Sequence, residues 1–329
     1  MAITTIADMQ IVPDKFTQYT IQRTTEKSTL VRSGITVADP RVGQLINGTP
    51  EGGCRIQMPF YNPLTGEDEV FGEEEIGVEG ITTGNEYASL LIRQKAWGDT
   101  DLAKVFGGSD PMAAIGDLVA DWWVIREQAM MMSILKGLFA ENGALATGAT
   151  THLLDVSADE SQSVIDVDTT LTAKQLMGDA ADKLGVVFMH SATYTSLQKK
   201  QQITTEYSSD LKIKIDYYLG YQVIIDDGMP VTGGVYDTFF IGKGAISRND
   251  GMPKHLVGVE TDRDKFTAKN YLINRRALVL HPLGVSFVKE GAFADGKKYA
   301  GNVDLATAAN WKLAVDHKKV PIVCLRHKI

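Results

Sequence analysis

Residues 52–143 constrain this chain more than any other stretch, because a long acidic hairpin there runs directly into one very long helix. Cys54, Ile56, Met58 and Phe60 alternate with Arg55, Gln57, Pro59 and Tyr61, the period-two pattern of a half-buried strand. Pro59 has no amide hydrogen to donate, which predicts an edge position. A return strand is predicted over 87–97, with Ala88, Leu90, Ile92 and Ala96 in phase. Between the two, residues 62–86 carry Glu67, Asp68, Glu69, Glu73, Glu74, Glu75, Glu79 and Glu86 and no lysine or arginine. Hairpin loops usually have about 2 to 5 residues, so a loop this long is either a solvated acidic excursion or an arm that docks on another subunit.

The helix follows at once. Ser109 or Asp110 can cap it, Pro111 suits its first turn, and Asn142-Gly143 ends it. Ile115, Leu118, Trp122, Ile125, Ala129, Met132, Leu135 and Phe139 recur at three-to-four spacing and predict the buried face. Val119, Trp123, Met130 and Leu138 make a second apolar strip, leaving Asp117, Asp121, Arg126 and Glu127 for water. At about 1.5 Å per residue the rod would span about 45 Å, more than twice the usual helix. Its aromatic and methionine residues read as packing rather than a cofactor box.

Around this pair the chain is more ordinary. Short helices are predicted over 20–32, stopped by Gly34, and over 40–46. The Gly/Ala/Thr run at 143–151 marks the best domain boundary, and beyond it the pattern is mixed α/β. Residues 173–184 read as a helix, 186–189 as a buried strand, and Ser191 as the cap of a helix reaching Lys200. Strands are predicted over 212–215, 221–225, 236–241, 272–280 and 285–288, with turns at Asp226-Asp227-Gly228 and Gly242-Lys243-Gly244. The segment 291–329 is richer in base, with Lys297, Lys298, Lys312, Lys318, Lys319, Arg326 and Lys328 against three aspartates.

Composition excludes several classes. No apolar run approaches the roughly 18 residues of a membrane span, and the N-terminus has no secretory pattern. Cys54 and Cys324 are the only cysteines, which suits a reducing compartment without a disulfide framework. A net charge of −8 does not supply the many phosphate contacts of a nucleic-acid binder, though a wall around nucleic acid needs no such grip.

Catalytic motifs are missing where they would have to be. The chain has no Gly-x-Ser-x-Gly, no P-loop around Gly242-Lys243, no His-Glu-x-x-His, and no metal-ligand spacing among its six histidines. No cofactor is expected. His190-Ser191 and Asp226-Asp227 sit at strand ends where catalytic groups can occur, but a cap and a tight turn explain them better. His281 before Pro282 reads as a strand-end residue with no partner in sequence.

Several strings, taken in order, resemble the major capsid proteins of tailed bacteriophages. They are 4–6 leading to Ile11-Val12-Pro13, QKAWGDTDLA at 94–103, DPMAAIGDLVADWW at 110–123, GDAADKLGVVFMHSATYTSL at 178–197, YLGYQVIIDDGMP at 218–230, and ETDRDKFTAKNYLINRRALVLHPLGV at 260–285. The resemblance implies the HK-ninety-seven-type α+β fold. It would place an N-terminal arm at 1–50, an extended hairpin loop at 51–98, and a peripheral domain with its spine helix at 99–170. An axial α/β domain would occupy 171–250, return strands 251–289, and a C-terminal extension 290–329. The implied function is an icosahedral head shell of hexamers and pentamers around double-stranded DNA, in the virion after assembly in the host cytoplasm. Encapsulin shells share that fold, and a soluble α/β enzyme is the reading from another class.

Implied partners are copies of the chain itself, a separate scaffolding protein, a portal and decoration proteins, with no membrane. Interface candidates are Glu67, Asp68, Glu69, Phe71, Glu73, Glu74 and Glu75 on the hairpin. Lys318 and Lys319 join them on a C-terminal segment expected to lie beyond the end of related chains, as a surface ornament or a basic strap for a neighbour's hairpin.

Overall fold

A computed structural model describes residues 33–48, 53–64, 66–68, 70, 78–102, 111–148, 151–159, 162–207 and 214–329. The expected helix at 20–32 therefore lies outside the described residues. Two sheets and one long helix organise the rest.

The first sheet has strand order β1-β11-β13-β3-β2, with β12 also paired to β13. Here β1 is Thr36–Val37, β2 is Arg55–Tyr61, β3 is Thr83–Thr100, β11 is Ile246–Gly251, β12 is Val259–Asp264 and β13 is Lys269–Pro282. Strand β3 is 18 residues long and serves two partners in succession. Its distal half, Leu90 to Thr100, pairs antiparallel with Val279 to Lys269 of β13. Its proximal half, Thr83 to Ser89, pairs only with Tyr61 to Arg55 of β2. The hairpin thus leaves the sheet between Ser89 and Leu90, and Pro59 lies on the edge strand as expected. Helix α1 (Pro40–Gly48) packs Val42 and Ile46 against Ile56, Ala88, Leu90, Ala277 and Val279.

The second sheet runs β4-β16-β10-β5-β8-β7-β6, with β9 on the flank of β10. Its strands are β4 (Leu153–Asp155), β5 (Leu184–Met189), β6 (Ile203–Tyr207), β7 (Lys214–Tyr218), β8 (Tyr221–Ile225), β9 (Val231–Thr232), β10 (Val235–Gly242) and β16 (Ile322–His327). The central strands are apolar on both faces, and their alternation sorts side chains into two cores. Val186, Phe188, Phe239, Ile241, Ile322 and Cys324 face the largest core, while Val187, Met189, Phe240, Val323 and Leu325 face a second one. Helix α3 (Val167–Gln175) and helix α4 (Ser191–Lys199) contribute Ala173 and Leu197 to the second core.

Strand β16 overturns the reading of the C-terminus as a surface ornament. It is inserted between β4 and β10, parallel to one and antiparallel to the other, with Ile322, Val323, Cys324 and Leu325 fully buried. Strand β15 (Trp311–Leu313) likewise pairs with β14 (Val285–Phe287). The sheet expected within 171–250 therefore takes strands from 153–155 and 322–327, and β11 belongs to the other sheet.

Helix α2 (Pro111–Phe139) is 29 residues long, close to its expected span. Its two halves meet different surroundings. Met130, Met131, Ile134, Leu135, Leu138 and Phe139 sink into the largest core, whereas Val119 and Trp123 meet Val259 and Leu272 of the first sheet. Leu118 and Ile125, expected on the buried face, are 63% and 57% exposed, so along the first half it is the second strip, Val119 and Trp123, that is covered, whereas Met132, Leu135 and Phe139 of the expected face are buried further on. Gly137 permits helix α5 (Asn302–Leu305) to cross closely, since a Cβ there would stand 2.2 Å from the Leu305 carbonyl oxygen.

Two local expectations also change. The helix expected over 173–184 is broken at Gly178, whose φ of +56 lies in the left-handed region, and continues only as a 3-10 turn, Gly178–Lys183. Within the run 143–151, Leu145 is fully buried and its carbonyl accepts the His152 amide, so the described part of it packs on the body of the subunit.

Candidate assembly surfaces

The hairpin presents two kinds of side chain to solvent. Glu67, Asp68 and Glu79 are exposed, as the acidic composition predicts. Beside them Leu64 is 80% exposed, Val70 and Val78 95%, and Ile81 59%. The neck is closed by Asn62, whose amide donates to the Thr82 carbonyl and whose side chain donates to the Thr82 hydroxyl, both at 2.9 Å. A string of aliphatic residues held out on a closed neck is what a docking arm needs and a solvated loop does not. Glu69, Phe71, Glu73, Glu74 and Glu75 lie outside the described residues.

Glu86 departs from its acidic neighbours. It is buried, accepting His281 Nε2–H at 2.6 Å and the Gly284 amide at 2.9 Å. This supplies the partner that the sequence did not show for His281. Nearby, the Tyr87 amide donates to Ser286 Oγ at 3.3 Å, and Arg55 donates to the carbonyls of Phe287 and Val288 at 3.3 and 3.0 Å. Arg55 also pairs with Glu290 and lies 4.5 Å from the centre of the Tyr87 ring. Arg55, Tyr87 and Glu290 line a cleft of about 1190 Å³ between β2, Leu45 of α1, and Lys298 and Tyr299.

A second polar cluster pins the rod to the first sheet. Glu127, expected in water, is fully buried between Arg248 of β11 and Arg276 of β13. Arg248 donates to Asp250 at 2.9 Å and Arg276 to the same carboxylate at 2.6 Å, so two cations meet two anions. Burial alone would lower Arg248, but its bonds to Glu127 and Asp250 outweigh that and raise it. One turn earlier, Trp123 Nε1–H donates to Asn274 at 2.9 Å. No periodicity rule finds such a cluster, because its members come from three segments more than 100 residues apart in part.

The residues that could suggest catalysis have structural work. His190, not Ser191, caps α4, its Nδ1 accepting the Ala192 amide at 3.0 Å. Asp227 receives the Ser191 amide at 3.2 Å, and hydrogen bonding from Ser191 lowers its pKa. Asp226 closes its turn by accepting Gly228 N–H at 2.8 Å and also holds Gln128 of the rod at 2.5 Å. Among the described residues no three metal-ligating side chains converge, and no helix is long and apolar enough to cross a membrane.

Among the described residues, the C-terminal lysines make no ion pair with the hairpin. Lys318 pairs with Asp179 at 2.8 Å; the bond lowers Asp179 and raises Lys318. Lys319 is exposed.

A projecting arm, a rod pinned to a long sheet, and a second sheet with a doubly buried centre define a shell-forming coat subunit of the HK-ninety-seven-type, mixed α+β fold. The fold recurs in the capsid of a native GTA particle, 12% identical with a TM-score of 0.53 over 84% of this chain and 86% of that one. It also recurs in the acid-stable capsid of Helicobacter pylori bacteriophage KHP30, 9% identical with a TM-score of 0.50 over 85% of each. Residues 124–322 match the family described as Major capsid protein 13-like. The major capsid protein of Bacillus phage SPP1 is 34% identical over 335 residues, covering 100% of this chain and 99% of that one.

The chain belongs to this family of phage major capsid proteins. It is a structural protein of the virion's capsid shell, where copies associate with one another, and not an enzyme. The relatives also correct one expectation: similarity does not stop near Val288 but runs through 322 in the family match and over the whole chain in the SPP1 protein.

Proposed function

We propose that copies of this chain form the hexamers and pentamers of an icosahedral head enclosing double-stranded DNA, and that the hairpin lies over a neighbouring subunit. The observation that carries the second part is the set of aliphatic residues, Leu64, Val70, Val78 and Ile81, displayed among carboxylates. Heterologous contacts that close a ring give finite assemblies, and each can be modest because many act together. The acidic residues repel other copies until the arm is correctly seated, which suppresses premature association.

In this reading 1–50 is the arm, 51–98 the extended loop and 99–170 the peripheral part with α2. The axial part is the second sheet, which extends the span 171–250 by β4 and β16, and 251–289 returns the chain to the first sheet. Fivefold and sixfold rings of one sequence need an outside guide to curvature, the role assigned here to a separate scaffolding protein. A portal would occupy one vertex and decoration proteins the outer face. The net charge of −8 fits a wall that encloses DNA without gripping its sequence.

The test is to purify the chain expressed alone and examine it by light scattering and negative-stain electron microscopy. Shells, tubes or hexamer-sized rings support the proposal. A monomer that still fails to assemble when co-expressed with its phage's other head proteins overturns it.

A further inference from the structure

We propose that Glu86 is a positioning residue that sets the angle at which the hairpin leaves the subunit. Four observations converge on it. Strand β3 changes partner at the Ser89/Leu90 step, so residues proximal to it are held to the body of the subunit by β2 pairing and side chains alone. Glu86 sits three residues from that step and is the buried exception among the described carboxylates of the hairpin.

Its Oε1 receives two donors from one place, His281 Nε2–H at 2.6 Å and Gly284 N–H at 2.9 Å, at the turn joining β13 to β14. A carboxylate only accepts, so the proton between Glu86 and His281 belongs to the ring. The ring is fixed on its far side: it stacks on Trp311 at 6.3 Å, and its Nδ1 is buried without a competing partner. Gly284, at φ +90, holds the turn in a conformation that aims its amide at the carboxylate.

A rim reinforces this centre. Arg55 ties β2 to the carbonyls of Phe287 and Val288 and to Glu290, and Ser286 receives the Tyr87 amide. Both strands of the hairpin are therefore clamped to the single segment 281–290. The clamp works by geometry: two donors from a tight turn converge on one oxygen of a side chain whose burial restricts its rotamers, so the strand is held close to that turn. The inference deepens the docking role proposed for the hairpin and rests on it for its consequence in assembly, but not for the clamp itself.

The test compares the full chain with its Glu86→Ala, Glu86→Gln and Arg55→Ala variants. Amide hydrogen exchange is read at 55–61 and 83–89, with exchange in β5 and β10 as an internal control. Losing a hydrogen bond to a charged group corresponds to about a tenfold change in a local opening equilibrium. The expectation is about tenfold faster exchange confined to the hairpin root in Glu86→Ala and a smaller change in Arg55→Ala. Partial rescue is expected in Glu86→Gln, whose amide oxygen can still accept both donors.

Unchanged exchange at the root, or a rise that spreads equally to β5 and β10, overturns the positioning role. Should Glu86→Ala not fold, the same comparison between Arg55→Ala and Glu86→Gln decides. Micrographs of the assembled products then separate the two readings. A loosened root with tubes or irregular shells supports both, and a loosened root with normal shells keeps the clamp and removes the docking role.

Discussion

Residues 62–82 and 290–329 look like partners on charge alone, one acidic and the other rich in lysine, yet the structure uses them in opposite ways. The hairpin holds its described aliphatic residues away from the subunit, with Val70 and Val78 almost fully exposed. The C-terminal segment buries most of its own, inserting β16 between β4 and β10 of a sheet. One of its lysines, Lys318, finds an acid at home on Asp179, and its Asp304 holds Lys289. Charge says little about which segment reaches for a neighbour. The decisive quantity is whether the apolar residues between the charges already have a core to enter.

The largest predicted effect follows from that contrast. Removing 321–329 takes away β16, including Ile322, Val323 and Leu325, all fully buried. Burying an aliphatic side chain is worth roughly 1.5–3 kcal/mol, so three of them rival the 5–15 kcal/mol that holds a typical domain. The truncated chain should be insoluble, or soluble without a cooperative thermal transition by circular dichroism. A truncation that melts cooperatively near the full chain's temperature would restore the reading as a surface ornament. Leu325→Ala, a milder version, should destabilise by about 2–5 kcal/mol in denaturant titration.

Next in size is Glu127→Ala. Deleting one member of a buried charge cluster typically costs about 3–5 kcal/mol, because the remaining charges lose compensation without regaining water. Here Arg248 and Arg276 would face Asp250 alone. By contrast, Lys318→Ala removes an exposed pair and should leave the melting temperature unchanged. If the two variants melted alike, the cluster would be reachable by water and the rod less firmly pinned than its geometry implies.

Much of this architecture was legible in the residues themselves. The hairpin strands, the rod from Pro111, the strand at 221–225 and the turn after it all carry local signals that survive folding. What escaped has a common cause. A helical wheel assigns Glu127 to water because it presumes one wet face, whereas α2 is covered on nearly all sides along its second half. Strand β16 went unread because a short apolar run shows no face until its neighbours are known. The Glu86–His281 bond joins residues 195 apart, which no spacing rule reaches. The hairpin's function is legible only in part, since composition marks the acids but not which aliphatic side chains stay uncovered.

A smaller effect should appear with pH, and it concerns the C-terminal strand again. Burial lowers the pKa of His327, and burial first, with its bond to the Ile322 carbonyl opposing, lowers that of His152. Unfolded, both would titrate near 6.5, so below that value the unfolded chain binds more protons than the folded one. Stability contributed by these groups is present in full above about pH 6.5 and lost as pH falls through the depressed folded values. The melting temperature of the unassembled subunit should drop on acidification from about pH 7.5 to 5.5, with a shallower drop in His327→Asn. An unchanged slope in that variant would show that the ring titrates freely, and that the end of β16 is open to solvent.

The smallest stability effect belongs to the hairpin, and its smallness is the point. Leu64→Ser, Val78→Ser and Ile81→Ser remove apolar groups that touch water already, so each should shift subunit stability by no more than about 0.5 kcal/mol. Assembly should fail nonetheless, read as loss of closed shells by electron microscopy at equal protein concentration. Neutralising Glu73, Glu74 and Glu75 should instead leave association intact but misdirected, giving irregular aggregates, because repulsion between unseated arms is lost while the aliphatic residues remain. If the serine triple variant assembled normally, exposure alone would be no guide to the docking surface. The apolar contacts of the shell would then have to come from another surface, and the uncovered strip of α2 at Leu118 and Ile125 offers the next such set of side chains.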